Sequence, residues 1–270
     1  MSTIHRDTNS IINYASDYPG HNSFWEKQYL LFLHQVTAVF DGFTALNIAD
    51  LGIMHGELRV VIGPNGAGKS TMCDVISGKT KTATGEIFFD GGLISGLKEE
   101  DIALKGIGRK FQTPTVFDSL TVFENMELAL PGNKSWFRQL FAKTRQLERD
   151  MIMSILERVR LMDDLHTEAR YLSHGQRQWL AISALVLSKP KLLLVDEPAA
   201  GLTDAETELT GELLLELKKD HTLLVIEHDM DFVRQLGARV TVLCEGKTMA
   251  EGSLDSIKQN PEVIEAYLGR

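Results

Sequence analysis

A glycine-rich segment with one lysine and two hydroxyl side chains is the first part of the sequence that could do chemistry. It reads GPNGAGKST and follows the apolar run LRVVI. The pattern G-x-x-x-x-G-K-[ST] between a strand and a helix is typical of a loop whose backbone N–H groups bind phosphate oxygens. Lys69 is predicted to reach the β- and γ-phosphates of a nucleotide, and Ser70 to ligate Mg²⁺. The predicted nucleotide-binding residues of this segment are Gly63, Pro64, Asn65, Gly66, Ala67, Gly68, Lys69, Ser70 and Thr71.

A glycine-rich turn with a surface lysine is the alternative interpretation of the same segment. The segment MCDVISGK that follows the loop is predicted to be helical, and the run before it is strand-like. A helix directly after the loop adds the positive end of its dipole to the phosphate site. This context favours a nucleoside-triphosphate site over a plain turn.

A pair of carboxylates in KLLLVDEP is the second chemical feature. Four apolar residues, from Leu192 to Val195, predict a buried strand that ends at Asp196 and Glu197. At a strand tip, Asp196 suits a water-mediated contact to Mg²⁺. Glu197 is positioned to activate the attacking water as a general base. A surface turn is the alternative, but a phosphate-binding loop in the same chain favours hydrolysis of a nucleotide.

Two more polar residues follow strand-like stretches and carry little weight alone. His228 follows TLLVIE, so its side chain could reach the γ-phosphate from a strand end, although a single histidine in such a place is more often structural. Gln112, in GRKFQTPTVF, could bind Mg²⁺ or the attacking water and report the nucleotide state to the segment that follows.

The elements that must position these groups alternate along the chain. Strand-like runs, such as ELRVVI, KLLLVDEP, TLLVIEHD and VTVLCEGK, are interleaved with helical stretches such as AETELTGELLLELKKD. Apolar runs without polar alternation predict a parallel sheet that is buried on both faces, and therefore an α/β fold.

The predicted domain organisation is an extension followed by one large domain. Residues 1–28 are polar and are predicted to be a loosely structured extension, and residues 29–270 form the main domain. Apolar residues at helical spacing, among them Trp136, Phe137 and Phe141, predict a mostly helical subdomain at about 115–180, inserted into the α/β core.

Composition excludes some classes of protein and disfavours others. The chain has 270 residues, 43% of them hydrophobic, and no continuous apolar window of membrane-spanning length. The N-terminus lacks the pattern of a secretory signal, and Cys73 and Cys244 are expected to be reduced thiols in the cytosol. A net charge of −9 argues against a broad nucleic-acid surface.

The segment LSHGQ, from Leu172 to Gln176, resembles the LSGGQ signature of ABC-transporter ATPases. It precedes the Asp-Glu strand, and every motif of that family then lies in order. The resemblance implies a P-loop NTPase fold with an ABC-type core, a mixed or parallel sheet and an inserted helical subdomain. It covers residues 29–270.

The resemblance also implies roles for individual residues. Gly63 to Thr71 match the Walker A loop, Asp196 the Walker B aspartate, Glu197 the catalytic glutamate, His228 the H-loop histidine and Gln112 the Q-loop glutamine. Phe40 in VFDGF matches the aromatic residue that stacks on adenine. In the signature, Ser173, His174, Gly175 and Gln176 are implied to contact the nucleotide that is bound by an opposing subunit.

Two departures from the family pattern bear on the site. His174 replaces the usual first glycine of the signature, where a bulky imidazole could slow closure or select a partner. The segment that follows the catalytic glutamate and ends at Asp204 reads GLTD instead of SALD.

The implied function is that of an ATP-hydrolysing subunit that drives a membrane importer with ATP and Mg²⁺. The implied partners are a second ABC ATPase subunit, of the same or a related chain, transmembrane permease subunits and, indirectly, a solute-binding protein, with no nucleic acid. The implied location is the cytoplasmic face of the membrane, bound peripherally.

The solute is the least determined part of this interpretation. Three stretches, HGELRVVIGPNGAGKST, LSHGQRQWL and VTVLCEGKTMAEGSL, resemble the urea-type importer subunit, so urea or a related small amide is the first expectation. Three others, GRKFQTPTVFDSLTVFEN, EPAAGLTDAET and VIEAYLGR, resemble subunits of branched-chain amino-acid importers, which is the alternative. A soluble ABC ATPase that acts on nucleic acid or ribosomes, and a regulator without enzymatic activity, are the competing classes.

Overall fold

The computed structural model describes residues 28–110, 116–130 and 146–268. Apart from Gln28, the predicted extension lies outside the described residues, and so do Gln112 and the aromatic residues near Trp136. The chain divides into two compact units. The first contains the described residues up to Ile102 and from Gly237 onward, and the second runs from Ala103 to Leu236.

Ten strands are found in the described part of the chain. They are β1 (Tyr29–Phe40), β2 (Phe43–Met54), β3 (Leu58–Ile62), β4 (Thr84–Phe89), β5 (Gly92–Leu93), β6 (Ile107–Lys110), β7 (Leu192–Asp196), β8 (Thr222–Ile226), β9 (Arg239–Cys244) and β10 (Lys247–Gly252).

Nine α-helices lie among the same residues, with one short 3₁₀ turn at Ala169–Tyr171. They are α1 (Lys69–Ile76), α2 (Glu99–Lys105), α3 (Val122–Ala129), α4 (Gln146–Arg158), α5 (His174–Val186), α6 (Asp204–Leu217), α7 (Met230–Leu236), α8 (Leu254–Lys258) and α9 (Pro261–Leu268).

The first unit contains an antiparallel sheet in the order β2-β1-β4-β5. Its β1–β2 hairpin turns at Asp41 and Gly42, whose φ angles of 48° and 82° suit a tight hairpin turn. In the same unit, β3 pairs in parallel with β9, and β9 pairs in antiparallel fashion with β10. Every residue of β3 is buried, so the loop that follows this strand begins from a fixed point.

The second unit contains three parallel strands, in which β7 pairs with β6 on one side and with β8 on the other. All residues of β7 and β8 are buried. This pattern confirms the α/β interpretation of apolar runs without alternation. The carboxyl ends of β7 and β8 lie side by side, because Asp196 is in register with Ile226.

The described segments between β6 and β7 contain the helices α3, α4 and α5 and the 3₁₀ turn, joined by turns and irregular stretches. Two of these helices begin with a capping box, in which the first side chain and the fourth side chain bond each other's backbone N–H groups. Thr121 and Glu124 form this box at α3, and Ser173 and Gln176 form it at α5. The limits of a separate helical subdomain stay a prediction.

Candidate nucleotide site

The phosphate-binding loop occupies the turn between β3 and α1 in the first unit. Its glycines are required by space and by backbone conformation. A Cβ on Gly63 would lie 2.3 Å from the carbonyl oxygen of Leu243, and a Cβ on Gly68 would lie 2.6 Å from that of Ala45. Gly68 precedes α1 with a φ of 95°, which other residues rarely adopt. The loop therefore has the close backbone approach that a bound phosphate chain needs.

Lys69 is the first residue of α1, and its side chain is buried within the loop. Its Nζ donates hydrogen bonds to the carbonyl oxygens of Gly63 and Pro64, at 2.8 and 3.0 Å. The ammonium group is thus held over the loop by two neutral acceptors. A phosphate oxygen is a stronger acceptor, because hydrogen bonds between charged groups are shorter and stronger than those to neutral carbonyls.

The other predicted residues of the loop differ in their exposure to solvent. Ser70, Asn65 and Gly66 are exposed, whereas Ala67 is buried. Phe40 ends β1 in the same unit and is 45% exposed, next to its strand partner Phe43. An exposed aromatic ring is available to stack on a planar base.

In the second unit, Asp196 ends the buried strand β7, as predicted. Its carboxylate is largely buried, and the Arg109 guanidinium on β6 lies 3.9 Å from it. Carboxylate oxygens are the ligands that a hard divalent cation such as Mg²⁺ prefers in proteins, so Asp196 suits the predicted role.

Glu197 and His228 are brought together at the ends of β7 and β8. The Glu197 Oε1 lies 3.8 Å from the His228 Nδ1. Glu197 has a φ of 45°, and its backbone N–H donates to the carbonyl oxygen of Ile226. A residue other than glycine rarely holds such a backbone conformation without a local reason. The turn directs the catalytic candidate toward the end of the neighbouring strand.

Glu227 is a functional candidate that the sequence analysis missed. Its buried carboxylate accepts hydrogen bonds from the backbone N–H groups of Ala199 at 2.9 Å, His228 at 2.9 Å and Asp229 at 3.3 Å. One side chain therefore joins the loop after Glu197 to the loop that carries His228. An acidic residue directly after the apolar run LLVI was the sequence signal that could have found it.

Lys110 is a second residue that the sequence analysis missed. It ends β6, is only 3% exposed, and donates a hydrogen bond to Gln178 Oε1 at 2.8 Å. Burial lowers the pKa of Lys110 to about 8, while the nearby carboxylates, Asp196 first, act in the opposite direction. A lysine at the end of a short buried strand was the available signal.

The signature segment forms the start of α5. Ser173 is the N-cap residue, and its Oγ accepts from the Gln176 N–H at 3.1 Å and donates to Glu206 Oε1 at 2.7 Å. A Cβ on Gly175 would lie 2.8 Å from the same Glu206 oxygen, so a side chain there would displace the Glu206 carboxylate. His174 is exposed at the first turn of the helix. Exposed donors at a helix N-terminus are suited to an anion.

Comparison with known protein families decides the identity. A family model described as "ABC transporter" matches residues 46–200, which span the phosphate-binding loop, the signature segment and the Asp196–Glu197 pair. The chain belongs to the ABC transporter family. This ABC cassette is an ATP-hydrolysing subunit of an importer. A second model, "Branched-chain amino acid ATP-binding cassette transporter", matches residues 247–270.

Curated relatives cover nearly the whole cassette. The high-affinity branched-chain amino acid transport ATP-binding protein LivG of Escherichia coli K12 is 35% identical over 251 residues, which are 90% of this chain and 98% of LivG. The Pseudomonas aeruginosa protein BraF, of the same description, is 35% identical over 87% of this chain and 95% of its own.

Solved structures of similar cassettes have the same fold. An ATP-binding cassette of an ABC transporter in its ADP conformation has a TM-score of 0.78 and 30% identity, over 89% of this chain and 99% of that one. A dimeric structure of a bacterial ABC transporter cassette has a TM-score of 0.70 and 28% identity, over 83% of this chain and 98% of that one.

The predicted site residues of the ABC cassette are thus distributed over both units. The loop with Lys69 and Ser70 belongs to the first unit, and Asp196, Glu197, His228 and the signature segment belong to the second. Gln112 lies outside the described residues. Among the described helices, none has the length and apolar character needed to cross a bilayer.

Proposed function

We propose that this cassette binds ATP at the loop Gly63–Thr71, hydrolyses it with Glu197, and so powers an importer of branched-chain amino acids. The observation that carries the catalytic part is the meeting of Glu197 and His228, 3.8 Å apart, at the end of the strand that also carries Asp196. The solute is supported by the similarity to LivG and BraF.

Nucleotide binding is assigned to the loop because its form fits a phosphate chain. The backbone is close to its neighbours at Gly63 and Gly68, where no side chain fits. Lys69 would exchange two neutral carbonyl acceptors for phosphate oxygens, which compensates the charge of the ligand. Phe40 would stack on the adenine ring.

Hydrolysis is assigned to the ends of β7 and β8. Glu197 would take a proton from the attacking water, and His228 would hold the γ-phosphate from the neighbouring strand end. Ser70, Asp196 and Gln112 are the residues that would hold Mg²⁺. When bound, Mg²⁺ neutralises charge on the β- and γ-phosphates. Glu227 holds the backbone around this pair by its three hydrogen bonds.

The partner is proposed to be a second ABC ATPase subunit of the same or a related chain. Ser173, His174, Gly175 and Gln176 would meet the nucleotide carried by that subunit. The dimeric cassette structure supports this arrangement for the family. ATP then favours the closed pair, since a ligand shifts an equilibrium toward the state that binds it more tightly. Hydrolysis removes the ligand and lets the pair open.

The remaining assembly follows from the role of an importer subunit. Transmembrane permease subunits would carry the cassette at the cytoplasmic face of the membrane, where it is bound peripherally. A solute-binding protein would deliver the solute to the permease. The net charge of −9 disfavours the competing function on nucleic acid or ribosomes.

The preferred solute changes from the first expectation of the sequence analysis. Resemblance of three short stretches favours urea, but the solute of such an importer is bound by other polypeptides and touches none of these residues. The relatives that match over about nine tenths of the chain carry the description of branched-chain amino acid transport. The branched-chain alternative is therefore the better supported one.

Solute uptake in a deletion strain tests this proposal. Cells that lack the cassette are supplied with labelled leucine, isoleucine, valine, urea or a short amide, and are complemented with the wild type or with Glu197→Gln. We expect the wild type alone to restore uptake of the branched-chain amino acids. If the wild type restores only urea uptake, the solute is urea and not a branched-chain amino acid. If it restores no uptake and the purified protein carries nucleic acid, the importer function is wrong.

A further inference from the structure

A chain of hydrogen bonds through the buried side chain of Gln178 connects the end of β6 to the signature segment. Lys110 Nζ donates to Gln178 Oε1 at 2.8 Å, and Gln178 Nε2 lies 3.3 Å from His174 Nε2 and 3.4 Å from the Ala200 carbonyl oxygen. Gln178 is wholly buried on α5, one helical turn after His174. The signature histidine is therefore held by a side chain that has no contact with solvent.

The orientation of the Gln178 amide is determined by two neighbours of opposite character. An ammonium group has donors only, so the atom of Gln178 that faces Lys110 must be the carbonyl oxygen. A backbone carbonyl has acceptors only, so the atom that faces Ala200 must be the NH₂ group. Lys110 and the Ala200 carbonyl require the same orientation of the Gln178 amide, and either of them alone would determine it.

This orientation fixes the form of the His174 ring. The NH₂ group of Gln178 donates, so His174 Nε2 must accept and carries no proton. The proton of the neutral imidazole is then on Nδ1. The Nε2–Cδ2 edge of the ring faces Gly201, whose ideal Cβ position lies 3.6 and 3.7 Å from these two atoms. Nδ1 is on the other edge of an exposed residue.

We propose that Lys110 and Gln178 are positioning residues that hold His174 as its Nδ1–H tautomer, so that the signature segment presents an imidazole N–H to a phosphate oxygen of the nucleotide carried by the opposing subunit. The inference rests on the proposed function for that nucleotide. It gives the residue that replaces the usual glycine a defined task as a hydrogen-bond donor.

The chemistry around His174 is complementary to a phosphate. The Ser173 hydroxyl, which donates to Glu206 in this structure, and the N-terminus of α5 are donors in the same place, and the helix dipole directs its positive end there. The other tautomer would direct a lone pair at the phosphate and would repel it. The position of one proton thus determines whether His174 attracts or repels the ligand.

Histidine-selective ¹⁵N NMR of the whole chain tests the tautomer without any nucleotide. The His174 resonances are identified by their loss in His174→Asn. We expect a protonated Nδ1 and an unprotonated Nε2 in the wild type. In Gln178→Glu a carboxylate oxygen replaces the NH₂ group, and we expect the proton to move to Nε2. Gln178→Leu, which offers neither donor nor acceptor, should give a mixture of the two forms.

ATPase kinetics in the assembled complex test the contact with phosphate. His174→Gly and Gln178→Glu should each raise the KM for ATP about tenfold, the effect of losing one hydrogen bond to a charged group, with kcat within about twofold of the wild type. His174→Asn, whose side-chain N–H₂ can donate in place of the imidazole, should recover part of the loss. His166→Asn, at an exposed histidine of the same unit, is the matched control and should leave both constants unchanged.

Failure of the inference and failure of the proposed function give different results. A protonated Nε2 in the wild type, or an unchanged KM in His174→Gly beside an active wild type, overturns the inference alone. A wild type that neither binds ATP nor pairs with a second subunit overturns the proposed function, and the role of the His174 N–H with it.

Discussion

The Ser173 hydroxyl donates a hydrogen bond of 2.7 Å to the carboxylate of Glu206, on the helix that follows the Asp196–Glu197 strand. This bond holds the pKa of Glu206 below its usual range. The hydrogen bond from the Thr203 N–H has a smaller effect in the same direction, and so does that from the Gly175 N–H. The carboxylate thus occupies donors of the signature segment that are proposed to meet a phosphate. Because one donor cannot serve two acceptors fully, we expect the carboxylate and the nucleotide to compete for it.

Removing the charge of Glu206 should therefore favour pairing of subunits. In a Glu197→Gln background, Glu206→Gln should lower the ATP concentration that gives half-maximal dimerisation about fivefold, the size of a modest coupling energy. Sedimentation velocity at increasing ATP concentrations measures it. Glu208→Gln, an exposed residue of the same helix, is the control. An unchanged ATP requirement in Glu206→Gln would show that the carboxylate does not compete.

Glu197→Gln should bind ATP normally and lose hydrolysis. An amide cannot accept the proton of the attacking water, so kcat should fall about 10²- to 10⁴-fold. Phosphate release and nucleotide binding, measured in parallel, separate the two effects. Glu157→Gln, at an exposed glutamate of the second unit, should retain full activity. Turnover near that of the wild type would remove Glu197 from the role of general base.

Lys69→Ala should lose affinity for ATP. The buried ammonium is held by the loop itself, so its loss removes the cation nearest to the proposed phosphate chain. We expect the Kd for ATP to rise at least about tenfold, since hydrogen bonds to charged groups contribute about 1.5–3 kcal/mol each. Calorimetric titration measures it, with the exposed Lys79→Ala as control. If both variants bind ATP with equal affinity, the assignment of the loop as the ATP site is wrong.

Glu227→Ala should destabilise the fold. It leaves the N–H groups of Ala199, His228 and Asp229 without their acceptor, and each unsatisfied buried group costs about 1–3 kcal/mol. We expect the free energy of unfolding to fall by about 2–5 kcal/mol. The loss is smaller than the full sum because water can bond to the N–H groups of the exposed His228 and Asp229. Glu227→Gln keeps one acceptor oxygen and should lose less. Urea unfolding without nucleotide measures both, and equal losses would contradict this account.

Lys110 should make the stability depend on pH in the alkaline range. Its folded pKa of about 8 lies below the ordinary value of 10.5. Between these values the unfolded chain binds more protons, so the free energy of unfolding rises with pH, by up to about 1.4 kcal/mol per unit from this residue. The free energy of unfolding of the wild type, minus that of Lys110→Met, should rise with this slope between pH 8 and 10.5. Both values are measured without nucleotide or Mg²⁺. If the free energy of unfolding has the same pH dependence in both proteins, the pKa of Lys110 is not lowered by folding.

The sequence predicted those features that depend on neighbours along the chain. The loop Gly63–Thr71 is defined by glycines whose spacing serves one continuous turn of backbone. The strands β7 and β8 are predicted by short apolar runs, and each run places its polar residue at the carboxyl end. The fold class and the ATPase family followed from the order of such local patterns. The solute did not, since an ABC importer binds its solute on other polypeptides.

Contacts between distant residues were decided by the tertiary structure alone. Lys110 and Gln178 are 68 positions apart, and Ser173 and Glu206 are 33 apart. Neither pair has a spacing that a helix or a strand would bring together, so no periodicity could reveal it. Packing of α5 against β6 and α6 determined the Gln178 amide, the His174 proton and the acceptor of the Ser173 hydroxyl. Hydrogen bonds extend about 3 Å and require a specific direction, so only the folded arrangement of these elements could fix them.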